Sequence, residues 1–371
     1  MKRYLRPAAF ICLSLFLWSE AMAGQRPGLR ELGVVIGTLP TGAHNDITDV
    51  PGVLVGHRTI IRGEAIRTGV TAILPHGGNL FLEKVAGAVE VFNGFGKLAG
   101  STQVHELGRI ETPILLTNTL CVSRVADALL SYMLSLPGME KVQSINPLVA
   151  ETNDGFLNDI QARAITQEDV FEALRSANGG PLELGSVGAG CGTTCLGYKG
   201  GIGSASRVVE IEGGRYTLGV LAQTNFGGRL TVNGKVLEAK AEIEKPGSGS
   251  CILVLATDAP LESRNLRRLA RRAFAGMARS GADFSNGSGD YAIAFSVHPD
   301  FREVMGEGSL GRSRRPLNNE PAGALFRAAA EAAEEAIISS VVAATTITGY
   351  QGHRREALDL DILKKASPGQ K

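Results

Sequence analysis

Residues 250–256, Ser-Cys-Ile-Leu-Val-Leu-Ala, form a nearly continuous apolar run directly behind a polar, glycine-rich stretch. A short run without polar alternation reads as a strand buried on both faces. Both faces then need cover, which confines the chain to layered arrangements. Its neighbours supply candidates for those layers. Val53-Leu54-Val55, Val70–Leu74, Ile114–Leu116 and Tyr291–Val297 are strand-like runs punctuated by Gly, Pro and Asn. Residues 207–226 read as a hairpin turning at Glu212-Gly213-Gly214.

Helical periodicity marks Thr166–Ala177, opened by Thr166 with Asp169 three residues on and closed by Asn178-Gly179-Gly180. A second helix runs from about Pro260 to Arg279, with Leu266, Leu269, Ala270, Ala273, Phe274 and Met277 on one stripe. Arg264, Arg267, Arg268, Arg271 and Arg272 fall mostly off that stripe and read as a solvated face pairing with surface acids. An alanine-rich helix spans about Pro321 to Ala344. Strands and helices in this mixture predict an α/β or α+β sandwich.

Composition narrows the function classes. Hydrophobic residues make up 44% and charged residues 20%, which excludes general disorder. A formal charge of +1 leaves no electrostatic footprint for nucleic acid. The longest apolar run, residues 8–18, is too short to span a bilayer, so no membrane partner is expected. That run instead belongs to a signal peptide over residues 1–23. Lys2, Arg3 and Arg6 form its basic start, and Ala21-Met22-Ala23 its small-residue cleavage site. The mature chain is then residues 24–371, read as a single domain, secreted or periplasmic.

Cys121, Cys191, Cys195 and Cys251 remain after cleavage. Cys191 and Cys195 can pair only if the loop between them folds back on itself, and buried thiols are the expected state. The six histidines are scattered, without metal-ligand spacing, so neither metal nor cofactor is expected.

The junction Gly249-Ser250 carries the chemistry. A Gly/Ser/Pro segment, Lys245-Pro246-Gly247-Ser248-Gly249, delivers a serine to the first position of the buried strand. If the peptide bond before Ser250 breaks, one residue holds both a hydroxyl and a new α-amine, a nucleophile with its base attached. A free α-amine has a pKa of roughly 7.7–8.0 and accepts a proton near neutral pH. The break can be self-made, by attack of the Ser250 hydroxyl on the Gly249 carbonyl followed by hydrolysis of the ester. Cys251 is not a competitor, because adjacent strand residues face opposite ways.

From about residue 40 to 350 the chain resembles the DmpA-type aminopeptidases, which include L-aminopeptidase/D-amino-acid esterase-amidases and β-peptidyl aminopeptidases. The matching stretches run in order: NDITDVPGVLVGH at 45–57, TGVTAILP at 68–75, ETPILLTNT at 111–119, ETNDGFLND at 151–159, KGGIGSASR at 199–207, TNFGG at 224–228, GSCILVLATDAP at 249–260 and NGSGDYAIAFS at 286–296. The resemblance implies an α+β fold, an αββα four-layer sandwich like that of N-terminal-nucleophile hydrolases. It also implies a precursor that cuts itself into 24–249 and 250–371. These fragments stay together and assemble into a homo-oligomer of paired fragments, a tetramer.

Residue roles follow from the same resemblance. Ser250 matches the nucleophile, and Ser288 and Asp290 match the pair that supports it, where some members carry Glu in place of Asp290. Asn225 matches the oxyanion-hole residue, whose amide can donate to a developing negative charge. Glu151 matches the acid that receives the substrate's free amino group. Asn153 stands where many relatives carry tyrosine, which leaves pocket shape and stereochemical preference open.

Two glycine-rich stretches invite a nucleotide reading and do not support one. KGGIGSASR lacks the phosphate-loop spacing and reads as tight backbone packing. Val187–Gly192 lacks the third glycine of a dinucleotide fingerprint. The expected function is a self-processing serine aminopeptidase acting on short peptides, amino-acid amides or esters. Its rivals are an acyltransferase of the ornithine acetyltransferase type, which uses threonine, and an uncleaved peptide-binding protein.

Overall fold

The computed structural model describes residues 26–211, 214–237, 249–306 and 315–365. The expected signal peptide at 1–23, the hairpin tip at 212–213 and most of the polar stretch before Ser250 (238–248) lie outside the described residues.

Two sheets dominate. The first contains β1 (Leu54–Arg62), β2 (Ile66–Leu74), β4 (Leu98–Ala99), β5 (Ile114–Asn118) and β6 (Leu148–Thr152), in the order β1-β2-β5-β6-β4. The second contains β3 (Glu83–Gly94), β7 (Ile202–Ile211), β8 (Gly214–Asn225), β9 (Gly249–Thr257) and β10 (Ser288–Ser296), in the order β7-β8-β9-β10-β3. Short strands at Arg109–Ile110 and Glu303–Val304 pair with the outer side of β3. Within each sheet one neighbouring pair is parallel, β5 with β6 and β9 with β10. Each parallel pair is joined through a helix, as parallel strands require. These are α1 (Val122–Leu134) in the first sheet and α3 (Ser263–Arg279) in the second.

Strand alternation sorts side chains into three cores. In β9, Cys251, Leu253 and Leu255 join α3 and α4 (Ala322–Ala343) in one cluster. The intervening Ile252, Val254 and Ala256 join Ile114, Leu116, Leu148 and Ala150 of the first sheet in a second. On the far face of the first sheet, Leu115 and Val149 pack with residues of α1 and α2 (Gln167–Arg175) in a third. Helices, sheet, sheet and helices stack as four layers, the αββα sandwich.

Local signals explain several boundaries. Thr166 caps α2 through Asp169 N–H at 3.3 Å, while Asp169 accepts from Thr166 N–H at 2.9 Å, a reciprocal capping box. The hairpin read at 207–226 extends back to Ile202, so the motif at 199–207 is largely strand. Its glycines serve close packing: a Cβ on Gly203 would collide with the backbone carbonyl of Ala336 in α4. Residues 188–190 form a single 3-10 turn rather than the head of a nucleotide-binding helix. Cys121, Cys191, Cys195 and Cys251 are all buried. No described helix is long and apolar enough to cross a membrane.

One feature of the packing has no periodic signature. Arg207 of β7 is completely buried and reaches Glu335 Oε2 at 2.5 Å, Glu331 Oε2 at 3.4 Å and the Ile36 carbonyl at 2.7 Å. Glu335 also accepts from Arg30 at 2.6 Å and Asn45 at 2.7 Å. The network pins the N-terminal segment and β7 to α4. Breaking a buried pair leaves an uncompensated charge, so Arg207→Ala should cost about 3–5 kcal/mol of stability. Urea denaturation measures this directly, and an unchanged midpoint would mean that Arg30 and Asn45 satisfy Glu335 alone.

Candidate active site

The site lies where β8, β9 and β10 end together. Ser250, 5% exposed, is the second residue of β9. The antiparallel register sets Asn225, the last residue of β8, opposite Ser250. The parallel register sets Gly289 of β10 on its other side, flanked by Ser288 against Gly249 and Asp290 against Cys251. The register thus places three further sequence candidates, Asn225, Ser288 and Asp290, on the strands flanking Ser250.

The Ser250 hydroxyl lies 2.6 Å from the carbonyl oxygen of Gly249. It also accepts the Gly289 N–H at 3.3 Å. Asn225 is oriented by its side-chain oxygen, which accepts from Thr194 N–H at 3.0 Å. The amide nitrogen is therefore the end left to donate, the polarity an oxyanion needs.

On the neighbouring strand Ser288 donates to Asp290 Oδ1 at 2.7 Å, and Asn93 of β3 donates to Oδ2 at 3.1 Å. The Cys251 backbone, one residue from the Ser250 nitrogen, also acts to lower the Asp290 pKa. Burial raises the Asp290 carboxyl above its ordinary range despite these donors. Cys251 itself faces the helix layer with its thiol pushed well above its usual pKa, so it packs rather than reacts.

Glu151 comes from the other sheet, at the end of β6, and is 1% exposed. Its Oε1 accepts Lys97 N–H at 2.9 Å, and its Oε2 accepts the Thr119 hydroxyl. Burial raises its carboxyl above the usual range, and those two donors oppose the rise. Asn153 lies exposed just beyond, with its side-chain oxygen on Gly155 N–H at 2.9 Å. The bonds of Asn153 do not connect it to the other candidates.

The bridge between the sheets escaped the sequence reading. Residues 95–97 carry the chain from β3 in one sheet to β4 in the other. Phe95 N–H bonds the Ser288 carbonyl at 3.3 Å, and Lys97 N–H holds Glu151. Between them, Gly96 packs so closely on Gly289 that a Cβ on Gly289 would lie 2.6 Å from Gly96 Cα. Tyr291, next to Asp290, packs against Gly96, and the pKa of its phenol is raised by burial and then by the Glu151 charge. The only local hint was the pair of glycines in Asn93-Gly94-Phe95-Gly96-Lys97. Asn93 lies outside every matched stretch, and Thr119 closes ETPILLTNT without a role assigned to it there.

A cavity of about 450 Å3, lined by Gly228, Arg229, Thr231, Gly281, Ala282 and Asp283, opens just past the end of β8. Among the described residues no group of three or more metal-ligating side chains is assembled.

The model of peptidase family S58 matches residues 45–355. Beta-peptidyl aminopeptidase BapA of Sphingosinicella microcystinivorans is 39% identical, over 96% of this chain and 95% of that protein. The PH0078 protein of Pyrococcus horikoshii OT3 superposes with a TM-score of 0.86 at 46% identity, covering 92% of this chain and 98% of that one. The L-aminopeptidase D-Ala-esterase/amidase of Ochrobactrum anthropi superposes with a TM-score of 0.85 at 36% identity, again over 92% and 98%. That enzyme is described as a prototype for the serine aminopeptidases and a variant of the Ntn hydrolase fold. On the family match and on identity spanning nearly the whole chain, this protein belongs to peptidase family S58, with the Ntn-hydrolase-like sandwich of its solved relatives.

Proposed function

We propose that the chain is an exported, self-processing serine aminopeptidase with Ser250 as its nucleophile. The observation that carries this reading is the meeting of the Ser250 hydroxyl, the Gly249 carbonyl 2.6 Å away and the Asn225 amide across the strand pair. In maturation, Ser250 Oγ attacks the Gly249 carbonyl carbon and the peptide C–N bond breaks. The nitrogen leaves as the α-amine of Ser250, and water hydrolyses the resulting ester. Residues 24–249 and 250–371 then remain associated, and the paired fragments assemble into a tetramer in the periplasm or outside the cell.

In turnover, the α-amine takes the proton from Ser250 Oγ as the hydroxyl attacks the substrate carbonyl. Ser288 and Asp290, on the strand beside the Ser250 nitrogen, orient that amine and hold its charged form. Asn225 donates to the oxyanion. The leaving amine or alcohol takes the proton back, and water then releases the acyl group by the same route. Glu151 receives the substrate's ammonium, which restricts attack to a residue at the chain start. The substrates are short peptides, amino-acid amides or esters with a free amino group. The names of the relatives support including β-peptides and D-amino-acid esters and amides among them. No step calls for a metal or cofactor.

Intact mass under denaturing conditions tests the first claim. Two chains, the smaller beginning at Ser250, are expected; a single chain over 24–371 would favour the uncleaved peptide-binding reading. Ser250→Ala should abolish both cleavage and turnover, and survival of either would remove Ser250 from the nucleophile's role.

The amine pocket carries its own pH signature. Ammonium binding needs Glu151 ionised, and burial holds that carboxyl above its ordinary range. KM should therefore rise as pH falls through the Glu151 titration, with affinity retained above it. Glu151→Gln should flatten this profile and raise KM about ten- to hundredfold, the value of a hydrogen bond to a charge. A variant with the wild-type pH profile would exclude Glu151 as the amine's partner.

A further inference from the structure

Three residues past Glu151, the carboxyl of Asp154 is buried at 1% exposure and takes no part in the steps above. Side-chain donors occupy both of its oxygens: Thr68 Oγ1 at 2.6 Å from Oδ2 and Asn158 Nδ2 at 2.9 Å from Oδ1. Thr68 in turn meets the side-chain nitrogen of Asn118 at 2.8 Å. The other end of Asn118 accepts Cys121 N–H at 3.1 Å, which caps the 3-10 turn Thr119–Cys121. The first residue of that turn, Thr119, gives its hydroxyl to Glu151.

An amide nitrogen can only donate, so Thr68 accepts from Asn118 and has one proton left, which goes to Asp154. Burial raises the Asp154 carboxyl to about 7, and the Thr68 and Asn158 donors oppose that rise by favouring its ionised form. Thr68, Asn118, Asp154 and Asn158 are each at most 2% exposed, so no solvent substitutes for a lost member. Several ionisable groups act on this carboxylate or feel its charge. They are Glu151 in β6, Cys121 after β5, and Cys191 and Lys199 on the glycine-rich segment. The Lys199 ammonium is itself held by the carbonyls of Gly190 and Gly200 at 2.9 and 2.8 Å.

A carboxyl buried this deeply is costly, and here its hydrogen bonds lead towards Glu151. We propose that Asp154 is a positioning residue for the amine-binding carboxylate. Through Thr68 and Asn118 it locks the Thr119–Cys121 turn, and with it the hydroxyl that orients Glu151. The inference rests on Glu151 receiving the substrate's ammonium.

Steady-state kinetics on two substrates with the same leaving group, an amino-acid aryl ester and its des-amino analogue, test it. Thr68→Val, which interrupts the relay away from the reacting atoms, should raise KM for the amino ester about tenfold, one hydrogen bond to a charged group. Its kcat should stay within about twofold and its des-amino ester kinetics should not change, because a purely uniform-binding loss moves KM alone. Thr68→Ser should restore the wild-type KM. Equal losses on both esters, or a folded Thr68→Val with unchanged KM, would overturn the relay.

If Thr68→Val does not fold, a cycle of Asp154→Asn and Thr119→Val replaces it. Under the relay, the double variant is no worse than Thr119→Val alone; additive effects refute it. A wild-type enzyme that does not distinguish the two esters would refute the Glu151 reading itself, before any variant is made.

Discussion

The parallel pairing of β9 with β10 sets the terms for everything around Ser250. In this register the serine stands beside a glycine, Gly289, with Ser288 and Asp290 on either side of that glycine. A slip of one residue would carry Ser250 to the helix layer and bring a thiol, Cys251, to the face between the sheets. The apolar pattern forbids that slip. Cys251, Leu253 and Leu255 fill the helix-side core while Ile252, Val254 and Ala256 fill the inter-sheet core, and both sets are fully buried. Hydrophobic packing thus holds a polar residue at a defined place, with its backbone hydrogen bonds made on both sides.

The same glycine lets the two sheets communicate. Because Gly289 has no side chain, Gly96 can lie against it, and the crossing segment 95–97 can touch Ser288 and Glu151 at once. Ser250 and Glu151 belong to different sheets and are separated by about a hundred residues of sequence. Their relation is carried by three consecutive residues whose backbone, rather than side chains, makes the contacts. Backbone atoms place Glu151 more rigidly than long side chains would, since no rotamer freedom is spent in holding it.

These facts explain what could be read from the sequence and what could not. The buried strand, the capped helix at Thr166 and the apolar stripe of α3 have local causes, and each formed close to its expected bounds. The arginines off that stripe behave as a solvated face: Arg271 pairs with Glu90 at 2.6 Å, and Arg268 and Arg272 lie over the Phe326 ring. The convergence of Ser250, Asn225, Ser288 and Asp290 followed from family resemblance, because no spacing rule joins positions brought together by sheet order. The 95–97 bridge, the Asn93 support of Asp290 and the relay from Asp154 depend on contacts between distant segments and left no periodic trace. Arg207 was hidden for another reason. It closes a glycine-rich motif, where a charged residue is expected outside, and its partners lie about 125 residues away on a helix that reads as alanine-rich.

Those hidden contacts bear on what a cut at Gly249–Ser250 would do. It falls at the first residues of β9, and β9 is flanked by β8 from before the cut and β10 from after it. Separating the pieces would require stripping an apolar strand from the centre of a sheet and exposing two cores. The buried ion network opposes it independently, since Arg207, Arg30 and Asn45 precede the cut while Glu331 and Glu335 follow it. Pulling α4 away would leave two carboxylates or their partners unpaired in a dry interior, the costliest way to open such a contact. A broken backbone at this point frees the Ser250 nitrogen while the rest of β9 stays where the strand pairing and the core hold it. New chemical freedom at one residue, inside a frame that does not relax, is what an N-terminal nucleophile requires.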